Sequence, residues 1–217
     1  MRTRLKVCCI SSVEEARIAV AAGADALGLV AEMPSGPGPI ADELIAEITA
    51  TVPPPVATFL LTCRTDPDGI VEHVRACRTN TVQLVDSVPV ATYAALRRHC
   101  PSVKIVQVLH VLGDRTVEEA REAAPHVDAL LLDSGRPDLA VKELGGTGRV
   151  HDWATSARIV AAVDRPVFLA GGLTPANIGQ AIAQVRPYGV DLCSGVRNGG
   201  DLDPAKLAAF VAALMAA

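Results

Sequence analysis

Short apolar runs alternate with amphipathic segments from one end of the chain to the other. The first run, residues 5–10 (LKVCCI), is too short to cross a membrane and reads as a strand. Seven more follow, at 25–30 (DALGLV), 55–62 (PVATFLLT), 81–84 (TVQL), 104–111 (KIVQVLHV), 128–132 (DALLL), 166–170 (PVFLA) and 189–192 (GVDL). Helix signals fill the intervals. Ser12-Val-Glu-Glu15 and Thr116-Val-Glu-Glu119 have the form of capping boxes, and Asp42 opens a stretch with Leu44, Ile45 and Ile48 on one face. Further helices are expected at about 68–77, 90–99 and 153–163. Thr174-Pro175 and Asp203-Pro204 each read as a cap with proline at the first helical position.

Strands whose intervals hold helices must run parallel, and near-continuous apolar runs fit strands covered by helices. Eight such units over residues 1–217 predict an α/β fold, a single-domain (β/α)8 TIM barrel. An open doubly wound sheet would carry G-x-G-x-x-G after the first strand, and none is there. Alternation along a strand puts Lys6 and Cys8 on one face and Leu5, Val7 and Cys9 on the other. A lysine suits a polar lumen better than an apolar helix–sheet seam. Cys8 is therefore expected in the lumen, at the end of the strand where such barrels do their chemistry, and Cys9 on the helix-packing face.

Composition narrows the function. The 217 residues are half hydrophobic, carry a formal charge of −4 and contain no basic run, so no nucleic-acid partner is expected. No apolar run approaches the ~20 residues of a membrane span. The start, MRTRLKVCCI, resembles a signal peptide only superficially, because Ser11, Glu14 and Glu15 end its apolar part. Six cysteines without a C-x-x-C pair read as reduced thiols of a cytoplasmic protein, with no metal site.

The positions just past the strand ends carry the candidate chemistry. They are Cys8; Asp133 with Ser134; Gly171 and Gly172; and Asp191, Ser194 and Gly195. The connection after the sixth strand adds Gly145, Gly146, Thr147 and Gly148. Backbone amides reach a phosphate only where no side chain intervenes, and a helix N-terminus adds a favourable dipole. These glycines predict a small phosphorylated substrate, and they also fit ordinary strand-to-helix turns. Cys8 and Asp133 form a candidate acid–base pair, a thiolate taking a proton from carbon and a carboxylic acid giving one to oxygen. Each also fits a structural role, Cys8 as a small buried hydrophobe and Asp133 as a loop cap. Asp191 fits either a substrate contact or a partner for Lys6. His110 and Trp153 read as a satisfied polar group and a packing residue.

Taken together, KVCCIS, ADALGLV, VQL, DALLLDS, GGTGRVHDW, FLAGGLTPANI and DLCSGVR resemble, in order, the motifs of the phosphoribosylanthranilate isomerase family of tryptophan biosynthesis. The resemblance implies a (β/α)8 barrel and an Amadori rearrangement of N-(5-phosphoribosyl)anthranilate without cofactor or metal. It implies Asp133 as general acid at the ribose ring oxygen and Cys8 as general base at C2. It implies Asp191 as a substrate contact, Gly171, Gly172, Ser194 and Gly195 as the phosphate cradle, and Gly146 in the motif covering the substrate. Three positions depart from the family pattern. The loop after the second strand reads MPSGPGPI where S-P-R is usual, with no Arg or Lys between Arg17 and Arg64. Val85-Asp86 replaces H-G, and Cys9 replaces a glycine. Arg64, Arg136 or His110 are the candidate substitutes for the loop arginine. Two alternatives stay open from the residues alone: a related isomerase for another phosphorylated sugar or amine, and a non-catalytic sugar-phosphate binder.

Overall fold

The computed structural model describes residues 2–145 and 148–217. Eight parallel strands close into a barrel: β1 Arg4–Val7, β2 Ala26–Val30, β3 Ala57–Thr62, β4 Thr81–Leu84, β5 Lys104–His110, β6 Ala129–Asp133, β7 Val167–Leu169 and β8 Gly189–Leu192. β8 pairs back onto β1, which sets Lys6 beside Asp191. The helices are α1 Val13–Ala21, α2 Asp42–Thr51, α3 Pro67–Cys77, α4 Val90–His99, α5 Arg115–Ala123, α6 Trp153–Ala162, α7 Ile178–Val185 and α8 Pro204–Ala216. A two-stranded ribbon, β9 Arg197–Asn198 with β10 Asp201–Leu202, precedes α8.

Two apolar shells follow from strand alternation. Residues such as Val7, Leu27, Leu60, Val82 and Leu130 face outward into the seam with the helices. Phe59, Leu61, Val106, Val108, Leu131 and Phe168 face inward and fill the lumen. At the strand starts, one polar side chain repeatedly takes the amide of the preceding strand. Asp25 accepts from Leu5 N at 2.9 Å, Asn80 from Thr58 N at 2.9 Å and Asp128 from Ile105 N at 2.8 Å. This closes the end of the barrel that TIM-barrel enzymes reserve for stability.

Several boundaries differ from the sequence expectation. β1 stops at Val7 rather than residue 10; Cys8 N still donates to Leu192 O at 2.6 Å, and the chain then turns at Cys9, whose φ is 61°. Cys9 consequently leaves the strand alternation and joins the lumen-side cluster with Cys8, not the helix-packing face. The Ser12 cap forms, with Ser12 Oγ accepting from Glu15 N at 3.1 Å. The Thr116 box does not, because α5 begins at Arg115 and Thr116 Oγ1 instead donates to His110 O at 3.3 Å. Thr174-Pro175 lies in a turn ahead of α7: Thr174 N donates to Asn177 Oδ1 at 2.8 Å, and the helix starts only at Ile178.

Candidate active site

The C-terminal ends of the strands surround a cavity of roughly 750 Å³, counting its part open to solvent. Cys8, just past the end of β1, lines it with Gln83 of β4, Asp133 of β6 and Asp191 of β8. Gly148, Gly171, Gly172, Ser194 and Gly195 also line it, a set referred to below as the glycine wall, as do Met33, Ser35, Gly36, Pro37 and Leu144. The candidate residues scattered through the sequence therefore meet in one place. Gly146 lies outside the described residues.

The floor is built around Lys6. Its side chain is wholly buried, its Nζ donates to Asp191 Oδ2 at 2.8 Å, and it lies 5.3 Å from the centre of the Phe59 ring. Burial alone would lower the Lys6 ammonium, but Asp191 and then Cys8 raise it above its ordinary value, so it stays charged. Burial pushes Asp191 up to about 8 against the pull of Lys6. A hydrogen bond from the Cys9 side chain, joined by the Lys6 charge, draws the Cys8 thiol down to about 6 against the cost of its burial. One ammonium thus stands between two acids, paired to Asp191 at 2.8 Å and drawing the Cys8 thiol toward its anionic form. A reactive thiolate needs this kind of cationic setting.

Gly28 in β2 makes the arrangement possible. A Cβ there would stand 2.6 Å from Cys8 Sγ and 2.9 Å from Lys6 Nζ. Asp133 is fixed from the side by Ser134 N, which donates to its Oδ1 at 2.6 Å. Its other oxygen meets the backbone of Gly145, where a Cβ would approach Oδ2 to 2.6 Å. Gln83 Oε1 and Asp191 Oδ1 are buried without a partner among the described residues, and both residues line the cavity. Buried acceptors are ordinarily satisfied, so these two are suited to a bound molecule's donors.

The glycine wall is a set of close backbone approaches. Gly171 and Gly172 adopt φ of 86° and 61°. A Cβ on Gly172 would meet Val150 N at 2.8 Å, one on Gly195 would meet Leu173 O at 2.7 Å, and one on Gly148 would meet Ser194 Oγ at 3.2 Å. The three glycine clusters converge as the sequence suggested. The helix dipole is weaker here than expected, because α7 starts six residues past Gly172 and only a 3₁₀ turn, Ser194–Val196, follows β8. Three of the wall's glycines, Gly148, Gly171 and Gly172, hold a left-handed backbone, and none of them carries a side chain between its amide and the cavity.

None of the three candidate substitutes for the loop arginine lines the cavity. Arg64 donates to Gly69 O, Arg136 forks onto Asp138, and His110 Nε2 faces Val85 O. Trp153 is buried in the helical shell, as expected of a packing residue. Sequence reading missed two members of the site. Lys6 was used to assign strand faces but not as a charge for Cys8, and Gln83 stood in VQL without a role; parity with Cys8 along the strands was the signal for both.

Comparison with known proteins bears on what this cavity does. A family model described as N-(5'-phosphoribosyl)anthranilate isomerase matches residues 5–213. The N-(5'-phosphoribosyl)anthranilate isomerase of Halobacterium salinarum is 42% identical over 214 residues, covering 97% of this chain and 94% of the relative. The crystal structure of the phosphoribosyl anthranilate isomerase from Thermus thermophilus superposes with a TM-score of 0.83 at 30% identity, over 99% of both chains. A phosphoribosyl anthranilate isomerase solved with reduced 1-(o-carboxyphenylamino)-1-deoxyribulose 5-phosphate matches with a TM-score of 0.80 at 26% identity, over 99% of this chain and all of that one.

Proposed function

The chain belongs to the N-(5'-phosphoribosyl)anthranilate isomerase family, and from that premise we propose how its cavity carries out the rearrangement. It is an isomerase whose substrate is N-(5'-phosphoribosyl)anthranilate and whose product is 1-(2-carboxyphenylamino)-1-deoxyribulose 5-phosphate. The observation that carries the proposal is the convergence of Cys8 and Asp133 on one cavity, with the glycine wall beside them.

The amides around Gly171, Gly172, Ser194 and Gly195 hold the phosphate and set the sugar's position. Asp133 donates a proton to the ribose ring oxygen; the C1–O bond breaks and a Schiff base forms between C1 and the anthranilate nitrogen. The Cys8 thiolate removes the proton from C2, giving the enolamine. Proton return to C1 and loss of the C2 hydroxyl proton yield the ketone, so no proton is gained or lost overall. Lys6 keeps Cys8 in its anionic form, and the free oxygens of Asp191 and Gln83 receive sugar hydroxyls. Acid–base steps of this kind are each worth roughly 10²–10⁴ in rate.

The six cysteines are free thiols, which supports a cytoplasmic location. No helix of the described residues is long and apolar enough to cross a membrane.

The test is turnover of N-(5'-phosphoribosyl)anthranilate by the purified protein, followed through anthranilate fluorescence. Wild type should convert the substrate and Asp133→Asn should lose about 10²-fold or more in kcat. A wild type that binds the product analogue but turns nothing over would refute the proposal.

A further inference from the structure

Cys9 is the anomaly beside the proposed base. Among the described residues three non-glycine positions have positive φ, and two of them, Arg78 and Arg186, are ordinary left-handed helix caps. Cys9, at φ 61°, is not at a helix end. It directly follows Cys8 and must bend the chain out of β1 within one residue. A non-glycine residue here is held against its backbone preference by its surroundings.

The holding group is Arg197, which comes just past the Ser194–Val196 turn. Its side chain is only 7% exposed and that of its partner Glu15 only 10%. Arg197 Nη2 donates to Cys8 O at 3.3 Å and, at short range, to Cys9 O. The same guanidinium forks onto Glu15, with both bonds 3.0 Å long. Glu15 in turn accepts from Ser11 N at 2.8 Å and Leu202 N at 2.7 Å. Burial works against the Glu15 charge, but Arg197 and the two amides outweigh it and hold the carboxyl below its ordinary value. The carbonyls on both sides of the Cys9 turn are therefore gripped by one planar, charged fork that is itself fixed by α1 and β10. A bidentate guanidinium sets direction as well as energy.

We propose that Arg197, braced by Glu15, is a positioning residue for Cys8: by fixing the two carbonyls of the Cys8–Cys9 turn it aims the Cys8 thiol at Lys6 and the substrate. The same residue follows Ser194 and Gly195, so the phosphate wall and the base are set by one stretch of chain. The inference rests on the reading of Cys8 as the base.

The test is Arg197→Lys, which keeps a cation opposite Glu15 so that the pair is not broken, but cannot reach Glu15 and both carbonyls together. Its kcat should fall roughly tenfold or more, approaching the about 10²-fold cost of a misplaced catalytic group, with KM little changed. Alkylation of Cys8 by iodoacetamide, located by mass spectrometry across pH, adds a readout that a purely structural role would not move. Cys8 faces Lys6, Asp191 and Cys9; if it swings away from Lys6, its alkylation midpoint should rise by about one pH unit. Glu15→Gln should shift both readouts in the same direction. Folded Arg197→Lys with the kcat and alkylation midpoint of wild type overturns the proposal. Should Arg197→Lys prove unstable, the same null result in Glu15→Gln overturns it. Cys8→Ser separates the two readings: retained turnover there removes Cys8 as base, whereas a dead Cys8→Ser beside an unaffected Arg197→Lys removes the clamp alone.

Discussion

Cys8 owes its proposed reactivity to a hydrogen bond from Cys9 and to a charge pair drawn from the two ends of the chain. Lys6 lies two residues before it on the same strand face, and Asp191 reaches Lys6 from β8, 185 positions later. The pH dependence follows from the direction of the shift. The thiolate is the working form and Cys8 is drawn down to about 6, so kcat/KM should fall as the pH drops below about 6 and be restored on raising it. Lys6→Met removes the ammonium and lets the thiol rise toward its ordinary value. The acid limb of the profile should then move to higher pH, and a limb that stays in place would contradict the role given to Lys6. Strand alternation made Lys6 and Cys8 legible as lumen residues. It failed at Cys9, because a left-handed turn breaks the alternation and nothing in the residue's chemistry announces one.

Among the elements, the strands were more legible than the starts of the helices. Short apolar runs marked all eight strands, whereas Thr116 and Thr174 mimicked caps they do not form. In each case a nearby group offered a competing hydrogen bond: the His110 carbonyl for Thr116, and Asn177 for the Thr174 amide. Short polar side chains choose among such local partners, and the sequence pattern does not rank them. The glycines carry a testable consequence at this scale. Gly28→Ala in β2 would push a methyl group against Cys8 Sγ and Lys6 Nζ, and kcat should fall by about 10²-fold with the barrel intact by circular dichroism. Gly195→Ala would meet a backbone oxygen, Leu173 O, in the glycine wall, and should act mainly by raising KM and weakening the product analogue. Equal effects of the two substitutions on kcat alone would contradict the division into an acid–base floor and a phosphate wall.

Across the whole molecule, stability and chemistry sit at opposite ends of the barrel. The closing contacts of Asp25 and Asp128 lie at the strand starts. Burial opposes the charge of both, but Arg2, Arg4 and the Leu5 amide around Asp25, and the Ile105 amide, Arg97 and Lys104 around Asp128, hold these carboxyls below their ordinary values. A carboxylate with a lowered folded-state value stabilises above its unfolded value and loses that contribution as the pH falls through the folded one. The denaturation midpoint should thus decline on acidification below the usual carboxylate range. Asp25→Asn and Asp128→Asn should flatten that decline without moving the acid limb of catalysis. The repeat of eight apolar runs and the spacing of the glycines made the closed barrel and the glycine lining of its mouth readable at this scale. The replacement for the loop arginine was not readable, since it depends on which side chains the loops bring to the rim. Arg64 and Arg136 are both engaged elsewhere.

The central claim is that Cys8 takes the proton from C2. It is tested most directly by the turnover of Cys8→Ser on N-(5'-phosphoribosyl)anthranilate, with the affinity for the reduced product analogue measured in parallel. The account predicts a loss of about 10²–10⁴-fold in kcat with the analogue still bound nearly as tightly as by wild type. Turnover by Cys8→Ser close to that of wild type would contradict it.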